Sequence, residues 1–383
     1  MSIILYLFFF CVPEDSNCQY LLDKQLAHYF PEWEARFDSL TFGFRTSQGC
    51  LDLLNWYISL DTKLEAELTD WFGLRYRNEY LADYGSHISN HRFEPYFRLW
   101  RNFKFLFTIT THYYKGEDEV GTGVFFGGDY LNFFELFVIA EDFDRNFSLK
   151  NHPAGAEKII YKQHPIKVKM NLNRYWSSGH LSLKLDLSNR YRLESTEPDS
   201  IQPPSYREKG LHRNFYTRVW QDIGRLRLGF IFNLQYLETD IQDTMRVFSS
   251  DIFEMITETM VGLRLNDRWR PYLYLTYNHK NAGESVYHLS AVPDSLFDYQ
   301  RKIYAYLVDL EYHPGGRFVW HFGTQRQFYF NNQPREFAER RINVGFEYRY
   351  KRIWFYFVEA MEGDFPTPKW LHNHTYLQLM LSF

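Results

Sequence analysis

The sequence predicts an all-β protein whose strands form a single antiparallel, up-and-down sheet closed into a barrel. Three observations lead to this fold class. Apolar and polar side chains alternate over many short runs, aromatic residues make up 20% of the 383 residues, and short links between the runs alternate with long ones. Alternation has the period of a β-strand, and strands favour aromatic side chains. We expect about 16 strands, within a range of about 14 to 18.

The first 39 residues differ from the rest of the chain. An apolar run from Ile3 to Val12 has the length of the hydrophobic part of a secretory signal peptide. We therefore assign residues 1–18 to a signal peptide or an N-terminal apolar segment. Residues 19–39 carry apolar side chains near helical spacing, which predicts a short helical segment that Pro31 ends or kinks. Residues 40–383 then form the barrel.

The alternation is clearest in residues 225–237. Leu226, Leu228 and Phe230 begin one apolar face, while Arg225 and Arg227 begin the polar face. The same division recurs in four other segments: 103–113, 166–172, 181–188 and 342–351. Short polar links such as Gly315-Gly316 are typical of β-hairpins. Longer links between the hairpins give the short-and-long asymmetry of barrels that span membranes.

Alternation alone does not separate a membrane barrel from a soluble β-sandwich, propeller or solenoid, because a soluble sheet also has one polar face. The apolar faces here run over about 10–12 residues, which suits a tilted strand crossing a bilayer and exceeds the usual globular strand. Hydrocarbon cannot satisfy an open sheet edge, so such strands must close into a ring. The sequence therefore favours a membrane barrel over the soluble alternatives.

The C-terminal residues carry the most specific signal. Leu377, Leu379, Leu381 and Phe383 share one face of an extended strand that ends with an aromatic residue. This ending resembles the closing strand of bacterial outer-membrane β-barrels. The resemblance implies that these residues are the signal read by the barrel-assembly machinery, a partner during biogenesis. It also implies a location in the bacterial outer membrane and contact with its lipid. Three alternatives are open for residues 19–39: a short periplasmic helix, the start of a plug in the barrel, or a surface helix at the mature N-terminus.

The charged residues on the polar faces of the strands are the candidate functional residues. We interpret residues 63–80 as one strand, with Glu65, Glu67 and two arginines opposite its apolar face. If the barrel is hollow, inward basic residues would favour anionic solutes. The alternative is a ladder of arginines and carboxylates that fills the lumen. The predicted lumen-facing residues are Arg75, Arg77, Lys104, Arg225, Arg227, Glu347 and Arg349.

Other function classes have little support in the sequence. The net charge of −4 gives no basic field for nucleic acid. The three cysteines lack zinc-site spacing, and GxSxG and HExxH are absent, so we expect no catalytic, metal or cofactor site. The leading hypothesis is a pore, or the barrel of a transport system, that takes a small solute. The alternatives are a structural or binding barrel whose long loops engage a protein partner or polysaccharide, and a membrane-embedded hydrolase.

Overall fold

The computed structural model describes residues 40–49, 56–83, 87–111, 118–127, 132–143, 158–196, 205–243, 246–288, 293–331, 337–350, 353–363 and 370–382. The signal and helical segments predicted for residues 1–39 lie outside this part of the chain, as does Phe383. None of the described residues belongs to a helix long and apolar enough to span a membrane.

The described residues form twenty strands. The first ten are β1 (Leu40–Gly49), β2 (Trp56–Glu67), β3 (Phe72–Asp83), β4 (His87–Trp100), β5 (Phe103–Thr111), β6 (Glu119–Gly127), β7 (Phe133–Ala140), β8 (Lys158–Gln163), β9 (Ile166–Trp176) and β10 (Gly179–Ser188). The others are β11 (Tyr191–Thr196), β12 (Arg207–Ile223), β13 (Leu226–Gln242), β14 (Arg246–Leu263), β15 (Trp269–His288), β16 (Pro293–Gly315), β17 (Phe318–Asn331), β18 (Phe337–Tyr350), β19 (Ile353–Gly363) and β20 (Trp370–Ser382).

All of these strands belong to one antiparallel sheet. β7 pairs with β9 and β10 with β12, while β8 and β11 continue β9 and β10 and pair with each other. β1 pairs with both β2 and β20, so the strand order returns to its start. If β8 with β9, and β10 with β11, are each counted as one interrupted strand, the twenty described strands become eighteen. This number is at the upper end of the predicted range. The predicted all-β, up-and-down fold is confirmed.

Short and long links lie at opposite ends of the sheet. Residues 68–71, 101–102, 177–178, 224–225 and 316–317 link strands at one end, which we call the short-turn end. Gly224 and Gly316 adopt φ values of 62° and 77° there, a backbone conformation that glycine enters without a steric penalty. The prediction of one strand over 63–80 is wrong, because residues 68–71 form a turn between β2 and β3.

The two faces of the sheet reverse the polarity of a soluble protein. On β5, Lys104, Thr108 and Thr110 are buried while Phe107 and Ile109 are exposed. Large apolar side chains are likewise exposed on later strands, including Leu228, Phe230, Leu273, Leu275, Tyr304, Tyr306, Val308, Phe318 and Phe322. Exposing so much apolar area is unfavourable in water and favourable in hydrocarbon. The exposed face is therefore the lipid-facing surface.

The buried face is the concave one. Arg75 on β3 and Glu135 on β7 approach to 3.8 Å, although β4, β5 and β6 separate their strands. Neighbouring strands lie about 4.8 Å apart, so four steps across a flat sheet would span roughly 19 Å. The two side chains can meet only because the sheet curves around them.

The lipid-facing surface is apolar over only part of the longest strands. On β16, outward-facing residues are apolar or aromatic from Tyr304 to Tyr312, whereas Lys302 and Gln300 beyond them are polar. A tilted strand needs about 9–11 residues to cross the hydrocarbon layer, which matches this stretch. We call the corresponding stretch of the outer surface the apolar band. β12–β16, of 17 to 23 residues, continue past it away from the short-turn end.

Candidate functional site

A network of buried ion pairs occupies the inner face of β3, β4 and β7. Glu94, which is fully buried, lies 2.8 Å from Arg75 and 2.9 Å from Arg92, and 3.7 Å from Arg77. Both Arg75 and Arg77 also lie 3.8 Å from Glu135. Each carboxylate thus shares several cations, the arrangement that makes charge burial tolerable. This network has the form of the ladder that the sequence left as an alternative.

Aromatic side chains lie directly against these cations. Lys104 donates a hydrogen bond of 2.7 Å to Glu65 on β2, and its ammonium lies 4.4 Å from the ring centroid of Tyr96. The guanidinium of Arg92 lies 4.8 Å from the ring centroid of Phe137. These distances fall within the cation–π range. The inner face of β3–β7 is therefore a packed core of charges and aromatic rings.

Two glycines make room for that core. A Cβ at Gly73 would come within 2.3 Å of the Tyr96 ring, and one at Gly123 within 2.4 Å of the Phe137 ring. Each glycine faces its aromatic partner directly across a strand pair. The missing side chains let the rings lie flat on the inner wall, which explains why glycine interrupts the apolar pattern of β6.

The inner wall differs on the long strands. Thr276 on β15 donates to Glu258 on β14 at 2.8 Å, and Asn278 donates to Glu254 at 3.0 Å. These contacts join neighbouring strands, unlike those that bridge β3 and β7. On this face Glu258, Thr276 and Asn278 are buried together with apolar side chains such as Ile256 and Ile303.

Carboxylates and a histidine meet on β16 and β17. Ligand atoms of Asp309, Glu311 and His321 lie within 4.8 Å of one another, and His321 Nε2 is 3.9 Å from Glu347 on β18. Imidazole and carboxylate are donor types that bind divalent metals. The sequence predicts no metal site because His321 is ten or more positions from Asp309 and Glu311 and meets them only through strand register.

A basic cavity of about 240 Å³ lies at the short-turn end of β12–β15. Arg225, Arg227, Arg264 and Arg270 line it, with Asp222 as the carboxylate. Arg227 donates to Asp222 at 2.6 and 2.9 Å, which leaves the lining with net positive charge.

Six of the seven predicted lumen-facing residues fall into three groups. Arg75, Arg77 and Lys104 lie in the buried network described above, and Glu347 is buried beside His321. Arg227 is half-buried on β13. Arg225 lies in the exposed turn between β12 and β13, so the prediction that placed it on the strand face is wrong. Since Ile223 pairs with Leu226, the hairpin leaves residues 224–225 as its loop.

Arg349 and the C-terminal leucines lie on described strands. Arg349 pairs with Trp354, and Leu377, Leu379 and Leu381 pair with residues of β1 and β19. The proposed lumen role of Arg349 and the proposed assembly role of the leucines stay predictions. Sequence reasoning missed Glu94, Glu135, Arg264 and Arg270, because the network and the cavity in which they lie are each assembled from several strands.

Solved structures with similar folds are bacterial barrels. The translocator domain of autotransporter NalP from Neisseria meningitidis is 8% identical, with 95% of this chain and 96% of that one covered and a TM-score of 0.39. OccK5 from Pseudomonas aeruginosa is 11% identical, with coverage of 90% and 96% and a TM-score of 0.42. A bacterial polysaccharide outer membrane secretin is 10% identical, with coverage of 91% and 100% and a TM-score of 0.43.

No protein-family model matches the chain, and neither does any curated protein sequence. No family is therefore identified. The fold rests on the chain's own strand pairing and on the polarity of its two faces. It is the fold of a transmembrane barrel of the outer-membrane kind, as the sequence predicts.

Proposed function

We propose that the protein is an outer-membrane barrel through which small solutes pass, either alone or as the barrel of a transport system. One observation carries this proposal: the lipid-facing surface is apolar, while the buried charged and polar side chains lie on the enclosed face. A ring of this many strands is wide enough to leave an aqueous channel. The inner-facing side chains Ile231, Asn233 and Gln235 of β13 are partly exposed, which supports a water-filled passage beside that strand.

Conductance tests the proposal. The full chain, reconstituted in a planar bilayer, should produce stepwise currents. In a chain whose three native cysteines are replaced by serine, Asn233→Cys places a thiol on the inner face of β13. A charged thiol-reactive reagent should then reduce the current, because the added group enters the passage.

The matched control is Leu275→Cys, a lipid-facing position on β15 that is 51% exposed. The same reagent should leave its current unchanged. A protein that keeps the heat-dependent gel mobility of a folded barrel but carries no current above that of the lipid alone would contradict the proposal.

A second candidate is a binding barrel that engages a polysaccharide. The observation that favours it is the extension of β12–β16 beyond the apolar band, which offers a wall outside the membrane. A variant that shortens the β15–β16 hairpin by removing residues 284–297 should lose binding to purified lipopolysaccharide and keep its conductance. Unchanged binding by this variant would count against the second candidate.

A further inference from the structure

A serine, a histidine and an asparagine meet on the lipid-facing side of β3 and β4. Ser89 and His91 are two residues apart on β4 and so share a face, and Phe93, two residues further on, is exposed there. Asn78 on β3 pairs directly with His91. This face is opposite to the buried network of Arg75 and Glu94.

The distances between the three side chains are those of hydrogen bonds. Ser89 Oγ lies 3.0 Å from His91 Nε2. On the other side of the ring, Asn78 Nδ2 lies 3.0 Å and the Tyr76 hydroxyl 2.8 Å from His91 Nδ1. Asn78 Nδ2 also donates to Ser89 Oγ at 3.3 Å. All four side chains are partly exposed.

A hydroxyl within reach of one imidazole nitrogen, with a polar group holding the other, is the arrangement of nucleophile, base and orienting residue. We propose that Ser89, His91 and Asn78 form the active site of an acyl-ester hydrolase on the outer wall of the barrel. Ser89 is the nucleophile, His91 the base, and Asn78 a positioning residue. This activity is separate from passage through the lumen.

Asn78 can hold the tautomer that the reaction needs. For His91 Nε2 to accept the Ser89 proton, Nδ1 must carry the other proton and donate it. Turning the Asn78 amide by 180° places Oδ1 where Nδ2 lies, so that Oδ1 accepts the Nδ1 proton. This rotation gives up the donations from Nδ2 to Ser89 Oγ at 3.3 Å and to the Asn90 carbonyl at 3.4 Å. Tyr76 stacks against the His91 ring, with 6.2 Å between centroids, and limits its rotation.

The position of the site indicates the substrate. Towards the short-turn end, the neighbouring outward-facing side chains are Tyr76, Phe93 and Ile109, and these belong to the apolar band. Ser89 and His91 follow them away from the short-turn end, where the outward-facing side chains of β3 and β4 become polar. An ester that reaches this face comes from the bilayer, and water is available there. The substrate class is therefore an acyl ester of a membrane lipid.

The reaction has two steps. Ser89 Oγ attacks the ester carbonyl carbon, its proton passes to His91 Nε2, and the bond to the lipid alcohol breaks as His91 returns the proton to that oxygen. An acyl group is then bound to Ser89. Water attacks the acyl carbon, gives its proton to His91, and releases a fatty acid while Ser89 regains its proton.

Fatty-acid release and covalent labelling test the site. The full chain is supplied with dioleoyl phosphatidylcholine in mixed detergent micelles and, separately, with a fluorophosphonate probe that reacts with activated serines. Ser89→Ala and His91→Ala should each lower the rate of fatty-acid release by about a thousandfold or more. Mass spectrometry should find the label on Ser89, and both substitutions should abolish it.

Asn78 is tested by loss and rescue. Asn78→Ala should lower kcat by about tenfold with little change in KM, because the ring is misoriented while lipid binding persists. Asn78→Asp should restore most of kcat, since a carboxylate also accepts the Nδ1 proton. The matched control is Ser177→Ala, an exposed serine in the turn between β9 and β10, which should behave as the parent chain.

Folding of every variant is checked by heat-dependent gel mobility, so that loss of activity is not loss of the barrel. Absence of label and of fatty-acid release from the folded parent chain overturns the proposal. Label on a serine other than Ser89 also overturns it. Hydrolysis of monomeric p-nitrophenyl butyrate with no action on the phospholipid overturns the assignment to membrane lipids.

Discussion

The barrel wall is built in two ways. In β3–β7, strands of 8 to 14 residues curve sharply, and ion pairs reach from β3 to β7 over buried aromatic rings. In β12–β16, strands of 17 to 23 residues carry polar contacts between immediate neighbours. The two sectors therefore differ in how far their inner-face contacts reach: from β3 to β7 in the first, and from β14 to its neighbour β15 in the second.

The sharpest test of this comparison is Glu94→Ala. Removing the carboxylate leaves Arg75, Arg77 and Arg92 in a buried site without their shared partner. Breaking a buried ion pair in this way costs about 3–5 kcal/mol. Urea unfolding in detergent, followed by tryptophan fluorescence, should show the loss.

Arg227→Ala on the long-strand side gives the contrast, because Asp222 is about one-third exposed and can be rehydrated. Its unfolding midpoint should change far less than that of Glu94→Ala. If both substitutions lower the unfolding midpoint equally, the two sectors do not differ in how much their ion pairs contribute to stability.

Leu275→Arg tests whether the exposed face of the long strands contacts lipid. An arginine on the lipid face costs about 2–4 kcal/mol near the bilayer midplane. Asn281→Arg lies on the same face of β15 but beyond the apolar band, and it should be nearly neutral. Unfolding from lipid vesicles compares the two. If Leu275→Arg leaves the unfolding free energy unchanged, the exposed face of this sector does not contact lipid.

The exposed ion pair between Arg190 and Glu238 should matter little. Arg190 is 57% exposed and donates to both carboxylate oxygens at 2.7 Å. Surface pairs of this kind contribute about 0.2–1 kcal/mol, which salt screens. Arg190→Ala should lower the unfolding free energy by no more than that, and the difference should shrink in high salt. A loss as large as that of Glu94→Ala would show that exposure does not set the cost.

The smallest effect concerns the basic cavity at the short-turn end. If solutes pass beside it, Arg270→Gln should lower the anion-to-cation permeability ratio by roughly twofold. Arg268→Gln, in the adjacent exposed turn and outside the cavity lining, should leave the ratio unchanged. Reversal potentials under a salt gradient measure both. A ratio that is the same in parent and Arg270→Gln would exclude the cavity from selectivity.

Local patterns predicted the strands better than the site. The alternation from Leu226 to Tyr236 marks β13 because each side chain reports its own face. The same reasoning failed at residues 68–71, because Leu68 and Phe72 keep the period-two apolar pattern on both sides of a turn, where Leu68 is 61% exposed. Period-two reasoning cannot distinguish an exposed apolar turn from a lipid-facing strand.

The candidate functional site could be predicted only in part, because its residues come together through the pairing and curvature of several strands. Arg75 and Arg77 could be placed on one face from spacing alone, but their partner Glu135 is about sixty positions away. Their meeting depends on the curvature of β3–β7, which no local pattern encodes. Ser89 and His91, by contrast, are two residues apart, and their shared face could be read from the strand period. Asn78 needed the register of β3 against β4.

The unequal strand lengths shape the approach to the barrel mouth. β16 continues for about ten residues beyond the apolar band, which for a strand tilted near 45° is a height of roughly 25 Å. β5, β6 and β7, with 9, 9 and 8 residues, end close to the band. The described strands therefore rise well above the apolar band on one side of the barrel and end near it on the other. A bulky molecule moving along the membrane surface meets long strands from one direction and, among the described residues, shorter strands from the other, next to β4, which carries Ser89.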